Sequence, residues 1–189
     1  MKPLITAVVT LSYPWLDKAQ PPKKPTDVAK YSAAFVFAKG AEVAELKAAA
    51  LDVATEKWGA TKGPKMVTFG SKGSTFRTDV EDKYTDAFAY LTARSESQPG
   101  LVFLHADPET KKAAKVPPEL IKKVFYPGAK VRGLVTPYAY DHPENKGIGW
   151  ALVGVQKIAD ASRLDNRVEA EDAFEADMNA VPASLDGLL

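Results

Sequence analysis

Apolar and polar positions alternate from the start of the chain. Across residues 4–13, Ile5, Ala7, Val9 and Leu11 fall on one side and Thr6, Val8 and Thr10 on the other, which is the two-residue period of a β-strand. The odd-numbered side is expected to be buried, and Pro14 to stop the strand. In 17–29, Pro21, Pro22 and Pro25 stand among Lys18, Lys23 and Lys24, a composition that breaks strand pairing and predicts a long basic loop. Lys30–Ala38 resumes the alternation with Tyr31, Ala33, Phe35 and Phe37 on one face.

The period changes after Gly40. Val43, Leu46, Ala50, Ala54 and Trp58 recur at steps of three and four, with Glu42, Glu45, Asp52 and Glu56 directed largely elsewhere. This predicts one long amphipathic helix over 41–58, closed by Gly59 and laid against a sheet. Residues 60–78 are rich in Gly, Lys, Ser and Thr and predict a loop with one short strand at 66–69. Two-residue alternation then returns, Phe88, Tyr90, Thr92 and Arg94 against Ala87, Ala89, Leu91 and Ala93, and Pro99-Gly100 turns into a short strand at 101–105. A polar, proline-containing connection follows at 107–119. Strands at 130–140 and 148–158 form a hairpin across the polar turn 141–147. Five to seven strands with one helix between them predict a mainly β domain, a small twisted barrel or a sandwich, and not a parallel sheet with alternating helices.

After Ile158 the strand pattern is lost and charge takes over as the signal. Residues 1–158 carry 23 Lys and Arg against 16 Asp and Glu, whereas 159–189 carry 2 against 8. The chain therefore divides into a basic body, 1–158, and an acidic tail, 159–189, expected to be disordered. Such a body suits a polyanion, and a tail of opposite sign can compete for the same surface. Single-stranded nucleic acid is the first candidate partner. At 189 residues the chain is long enough for one core. The absence of cysteine excludes disulfides, thiol nucleophiles and cysteine-held metals and fits a cytoplasmic location. Neither a membrane-spanning apolar run nor an export signal is expected.

The candidate chemistry lies on the strands. A regular strand from Lys130 places Arg132, Leu134, Thr136, Tyr138 and Tyr140 on one face, a platform on which bases stack on rings while the cation meets a phosphate. Pro137 is the position at which that register is open to disruption, and two half-buried sheet tyrosines are the competing account. A second patch, Lys30, Tyr31 and Phe35, is entered from the basic loop; core burial competes evenly for Tyr31 and is favoured for Phe35 and Phe37. Catalytic signals are poor. His105 and His142 lack the repeated ligand spacing of a metal site, and the run Gly70-Ser71-Lys72-Gly73-Ser74 lacks the spacing and flanking elements of a phosphate-binding loop. Catalytic residues, bound metal and cofactor are not expected.

Several short motifs occur in a consistent order: Leu11-Ser12-Tyr13-Pro14, Lys30-Tyr31-Ser32, Lys57-Trp58-Gly59, Tyr126-Pro127-Gly128 followed by Arg132, Tyr138-Ala139-Tyr140, Asn145-Lys146-Gly147-Ile148, Val155-Gln156-Lys157 and Glu171-Asp172-Ala173-Phe174. Together they resemble a phage and prophage family of OB-fold single-stranded DNA-binding proteins, first catalogued as a domain of unknown function and similar in kind to the phage T7 single-stranded DNA-binding protein. The resemblance implies an OB-like five-stranded barrel with an inserted helix, long basic loops and a disordered acidic C-terminal tail. It also implies a non-enzymatic role in phage DNA replication or recombination, coating exposed strands in the host cytoplasm. The tail motif, with Glu171, Asp172 and Phe174, is then the expected contact for a polymerase, helicase or recombinase, although this chain runs 15 residues beyond Phe174. Lys30, Tyr31, Arg94, Lys130, Arg132, Tyr138, Tyr140, Lys146 and Trp150 are the expected DNA contacts, and a homodimer is a further expectation. A phage structural or protein-docking module without DNA binding is the competing function.

Overall fold

The computed structural model of the chain describes residues 2–22 and 24–165. The first expected strand is split into β1 (Leu4–Ile5) and β2 (Val9–Gln20). Thr6 interrupts the alternation. It is buried, and its Oγ1 accepts the Gly133 N–H at 2.9 Å while donating to the Ala7 carbonyl at 2.8 Å. Only Val9 and Leu11 of the odd-numbered row are in the core, and Ile5 is 64% exposed. Pro14 does not stop β2. The pairing with β3 (Lys30–Ala38) passes from Ser12↔Ala34 directly to Trp15↔Ser32, so Tyr13 and Pro14 form a bulge, with Tyr13 at φ 44°. A missing N–H is tolerated where the ladder is already interrupted. The basic loop accordingly begins later than expected, at residue 21.

Helix α1 (Ala44–Lys62) buries Leu46, Ala50 and Ala54 as its spacing predicts. Gly59, at φ 79° and ψ 167°, breaks it after Trp58, so the helix proper ends where the glycine indicated. A 3₁₀ turn (Gly63–Met66) and two short strands, β4 (Phe69–Gly70) and β5 (Phe76–Arg77), replace the single strand expected at 66–69. The remaining elements are β6 (Ala87–Ser95), β7 (Gly100–Ala106), β8 (Ala113–Lys115), a 3₁₀ turn (Pro118–Leu120), α2 (Ile121–Val124), β9 (Lys130–His142) and β10 (Asn145–Ala159). The hairpin is tighter than expected: His142 pairs with Asn145, leaving Pro143-Glu144 as the turn.

Strand pairing closes on itself. β2 pairs with β3 and β3 with β6, both antiparallel; β6 runs parallel to β10; β10 and β9 form the long hairpin; and β9 returns to β2 through Val9↔Val131 and Thr10↔Lys130. Where a five-stranded barrel is expected, the structure has this ring of five strands, with β7 and β8 added beside β10, β4 and β5 beside β6, and β1 beside β9. Phe35, Phe37, Leu11, Leu91, Val131 and Val135 fill its interior, together with the three buried residues of α1. Burial of each large apolar side chain contributes about 1.5–3 kcal/mol, which makes this cluster the main source of stability. Among the described residues, no helix is long and apolar enough to cross a membrane.

Candidate nucleic-acid interface

The outer face of β2, β3 and β6 carries a groove. It is lined by Ser12, Ser32, Ala34, Val36 and Thr92, by Tyr13 and Trp15 of β2, by Tyr90 and Arg94 of β6, by Arg77 of β5, and by Tyr84, which reaches Ser12 of β2. β3 is thereby buried on both faces: Phe35 and Phe37 point into the core, while Ala34 and Val36 lie beneath the groove. Through Gln20, Ser32 and Arg94 the groove continues to Lys30 and the proline loop. In the other direction it continues through Val36 and Tyr84 to Thr10, Lys83 and Lys130.

Charged and aromatic groups in the groove are already engaged with one another. The Arg77 guanidinium forks onto Asp79, with Nε to Oδ1 at 2.9 Å, and lies 4.9 Å from the centre of the Tyr90 ring. Lys83 bonds Glu81 at 2.9 Å and sits over the Tyr13 and Tyr84 rings at 5.1 and 5.4 Å. The Tyr13 hydroxyl donates to Glu81, and that of Tyr84 to Ser12 Oγ. These contacts, with burial, shift the ionisation of the groups. The Arg77 hydrogen bond holds Asp79 below the usual carboxylate range, and the Tyr13 hydroxyl, followed by Lys83, does the same for Glu81. Tyr13 is raised, first by its bond to Glu81 and then by burial, and Tyr90 is raised by burial. At the groove's ends Lys30 pairs with Glu96 at 3.2 Å and Lys130 donates to Thr10 Oγ1 at 2.9 Å.

A second aromatic surface lies on the hairpin. Along β9, Val131, Gly133, Val135 and Pro137 are buried, whereas Arg132 and Tyr138 are exposed and Leu134, Thr136 and Tyr140 half-buried. The even-numbered row thus keeps one face through Pro137, which pairs in register with Trp150; the irregularities sit on the partner strand, at Val153 and Ile158 of β10. Tyr138 and Tyr140, with ring centres 6.4 Å apart, lie across Gly149 and Gly147. A Cβ on Gly149 would stand 2.6 Å from Tyr138 Cζ, and one on Gly147 2.7 Å from Tyr140 Oη, so the two glycines allow the rings to lie flat on the sheet. At the hairpin end Lys146 pairs with Asp141 at 2.9 Å, and Trp58 Nε1 donates to the same carboxylate at 3.4 Å. Lys146 holds Asp141 below its usual range.

The expected contacts therefore divide between two surfaces. Lys30, Arg94 and Lys130 border the groove. Arg132, Tyr138 and Tyr140 share the outer row of β9, with Lys146 beside the turn. Tyr31 is half-buried at the start of the core-facing row of β3, opposite Ser95. Trp150 is a correction. It is 2% exposed, packs 5.7 Å from the Phe76 ring and donates its Nε1 hydrogen to the Thr75 carbonyl, so it has no face to offer a base. Six cationic and aromatic residues along the groove were missed by the sequence reading: Tyr13, Trp15, Arg77, Lys83, Tyr84 and Tyr90. For Tyr90 the signal was present, because Tyr90, Thr92 and Arg94 alternate on one face of a clear strand. Glu171, Asp172 and Phe174 lie outside the described residues. His105 is exposed and stacks on Phe103 at 5.0 Å, and among the described residues no three His, Asp or Glu side chains gather as metal ligands.

Comparison with known proteins places this geometry. The family model described as the single-stranded DNA-binding protein of Enterobacter phage Enc34 matches residues 2–183. The structure of the bacteriophage Enc34 single-stranded DNA-binding protein in complex with single-stranded DNA superposes with a TM-score of 0.65 at 20% identity, covering 85% of this chain and 88% of that one. A second structure of the bacteriophage Enc34 single-stranded DNA-binding protein gives 0.63 at 21% identity, covering 90% and 89%. The bacteriophage T7 single-stranded DNA-binding protein gp2.5 gives 0.53 at 13% identity, covering 89% and 98%. No curated protein sequence matches the chain.

Proposed function

Because the chain belongs to the family of the phage Enc34 single-stranded DNA-binding protein, we propose that it binds single-stranded DNA without sequence preference along the outer groove of β2, β3 and β6. The observation that carries this reading is the pairing of cations with aromatic rings over a floor of small side chains. Arg77 lies beside the Tyr90 ring and Lys83 beside the Tyr13 and Tyr84 rings, an arrangement that supports phosphate contact next to base stacking. Bases stack on the rings whatever their identity, and phosphates are taken by Arg77, Lys83, Arg94, Lys30 and Lys130. The hairpin shelf of Tyr138 and Tyr140, with Arg132 and Lys146 near it, extends the contact. The protein acts by binding and without catalysis, protecting exposed strands during phage replication or recombination in the host cytoplasm. The acidic tail with Glu171, Asp172 and Phe174 recruits a polymerase, helicase or recombinase.

Titration of a fluorescent oligo(dT) across a salt series, with and without magnesium, tests the proposal. Tight, metal-independent binding without cleavage is expected. The logarithm of the affinity should fall with the logarithm of salt at about −0.7 per phosphate, for roughly three to six phosphates. Absence of binding at low salt would leave a protein-docking module as the function.

A further inference from the structure

The segment from Thr78 to Asp86 lines the groove with carboxylates where a nucleic-acid site is expected to be basic. Asp79 and Glu81 both stand in its wall. Asp79 occupies the fork of Arg77, and Glu81 takes the ammonium of Lys83 and the hydroxyl of Tyr13. The two carboxylates thus hold the cations that a phosphate would seek, and through Lys83 they hold a cation over two of the rings that a base would use. They are surface groups, with Asp79 41% and Glu81 46% exposed as side chains, so their pairs can be exchanged at little cost.

The consequence differs between polyanions. A ligand that offers phosphates alone meets Asp79 and Glu81 as like charges, and gains nothing from Tyr13, Tyr84 and Tyr90 when its bases are already stacked within a duplex. A single strand brings free base faces as well. Stacking compensates for the repulsion, and its phosphates take over Arg77 and Lys83 as the carboxylates turn to solvent. On the premise that the groove binds single-stranded DNA, we propose that Asp79 and Glu81 are specificity-determining residues: they make binding there conditional on base stacking, and so select single strands over duplex DNA and inorganic polyphosphate.

The test compares the full chain with the variant Asp79→Asn/Glu81→Gln, and with a control of equal charge change on the exposed side of α1, Asp52→Asn/Glu56→Gln. Each is titrated at low salt with labelled oligo(dT) and a blunt duplex of equal length, with polyphosphate as competitor. In the groove variant, duplex and polyphosphate binding should tighten by about tenfold or more and oligo(dT) binding by only a few-fold, while the control keeps the preference of the unsubstituted chain. Each single substitution gives a smaller change in the same direction, and these decide the matter if the double variant melts early. An unchanged preference in the groove variants, or an equal loss of preference in the α1 control, overturns the proposal. Failure of the unsubstituted chain to bind oligo(dT) is a separate result, and overturns the groove reading itself.

Discussion

The groove of β2, β3 and β6 and the face of the β9–β10 hairpin use the same materials, tyrosine rings and basic side chains, in opposite arrangements. In the groove the rings stand as walls around small residues, and the cations are laid on them and tied to carboxylates. On the hairpin the rings lie flat over two glycines, Tyr138 is 45% exposed, and the ion pair of Lys146 with Asp141 sits at the turn. A strand entering the groove exchanges existing contacts for new ones. A base arriving on the hairpin adds a contact without displacing one. On the proposed reading, the groove is the part that would discriminate, and the hairpin the part that would lengthen the site.

The strongest way to break this comparison is to remove the groove's walls. Trp15→Ala combined with Tyr90→Ala should weaken oligo(dT) binding by roughly 2–6 kcal/mol, at about 1–3 kcal/mol for each lost stacking surface. Neither ring is in the buried core cluster, so the melting temperature should move much less than the affinity. Unchanged affinity in a folded double variant would show that the strand does not use the groove.

The hairpin gives the next largest effect. Tyr138→Ala should cost about 1–3 kcal/mol of oligo(dT) affinity, while Tyr138→Phe is tolerated because the ring and not the hydroxyl stacks. Gly149→Ala sharpens the test, since its Cβ forces the Tyr138 ring off the sheet. Affinity should fall in that variant although every aromatic and charged residue remains. If Tyr138→Ala loses stability and affinity together, the ring is a packing element; if affinity does not change, the hairpin leaves the site.

Much of the scaffold was legible in the sequence, and most of the groove was not. Lys30–Ala38, the hairpin and the helix end at Gly59 follow from local periodicity and one glycine, information that each segment carries alone. The passage of β2 through Pro14 does not, because the bulge that accommodates the proline exists only against β3. The groove is harder still. Its lining comes from residues 12–15, 77, 84 and 90–94, which only the pairings of β2 with β3, β3 with β6 and β6 with β5 bring together. Trp150 is among the expected DNA contacts, yet Ile148 and Leu152 flank it at the two-residue period and both are buried. The period already pointed it inward.

The smallest expected effect concerns acid. Asp79 and Glu81 are both held below the usual carboxylate range, chiefly by the Arg77 and Tyr13 hydrogen bonds respectively. A carboxyl depressed on folding contributes stability that is present above its unfolded pKa and is lost as pH falls through its folded one. The groove's internal pairs should therefore support the fold at neutral pH and release that support below about pH 4, the ordinary carboxylate value. The hairpin has a parallel case in Asp141, depressed by Lys146. All three are exposed, so solvent screening keeps each contribution small. Melting temperatures of the unsubstituted chain, Asp79→Asn/Glu81→Gln and Asp141→Asn, followed from pH 6 to pH 3, resolve the two regions. Each variant should start slightly lower at pH 6 and lose less on acidification, so that the curves converge at pH 3. If the groove variant's curve stays parallel to that of the unsubstituted chain, Asp79 and Glu81 are not paired in the folded protein, and the contrast between an engaged groove and an open hairpin falls with them.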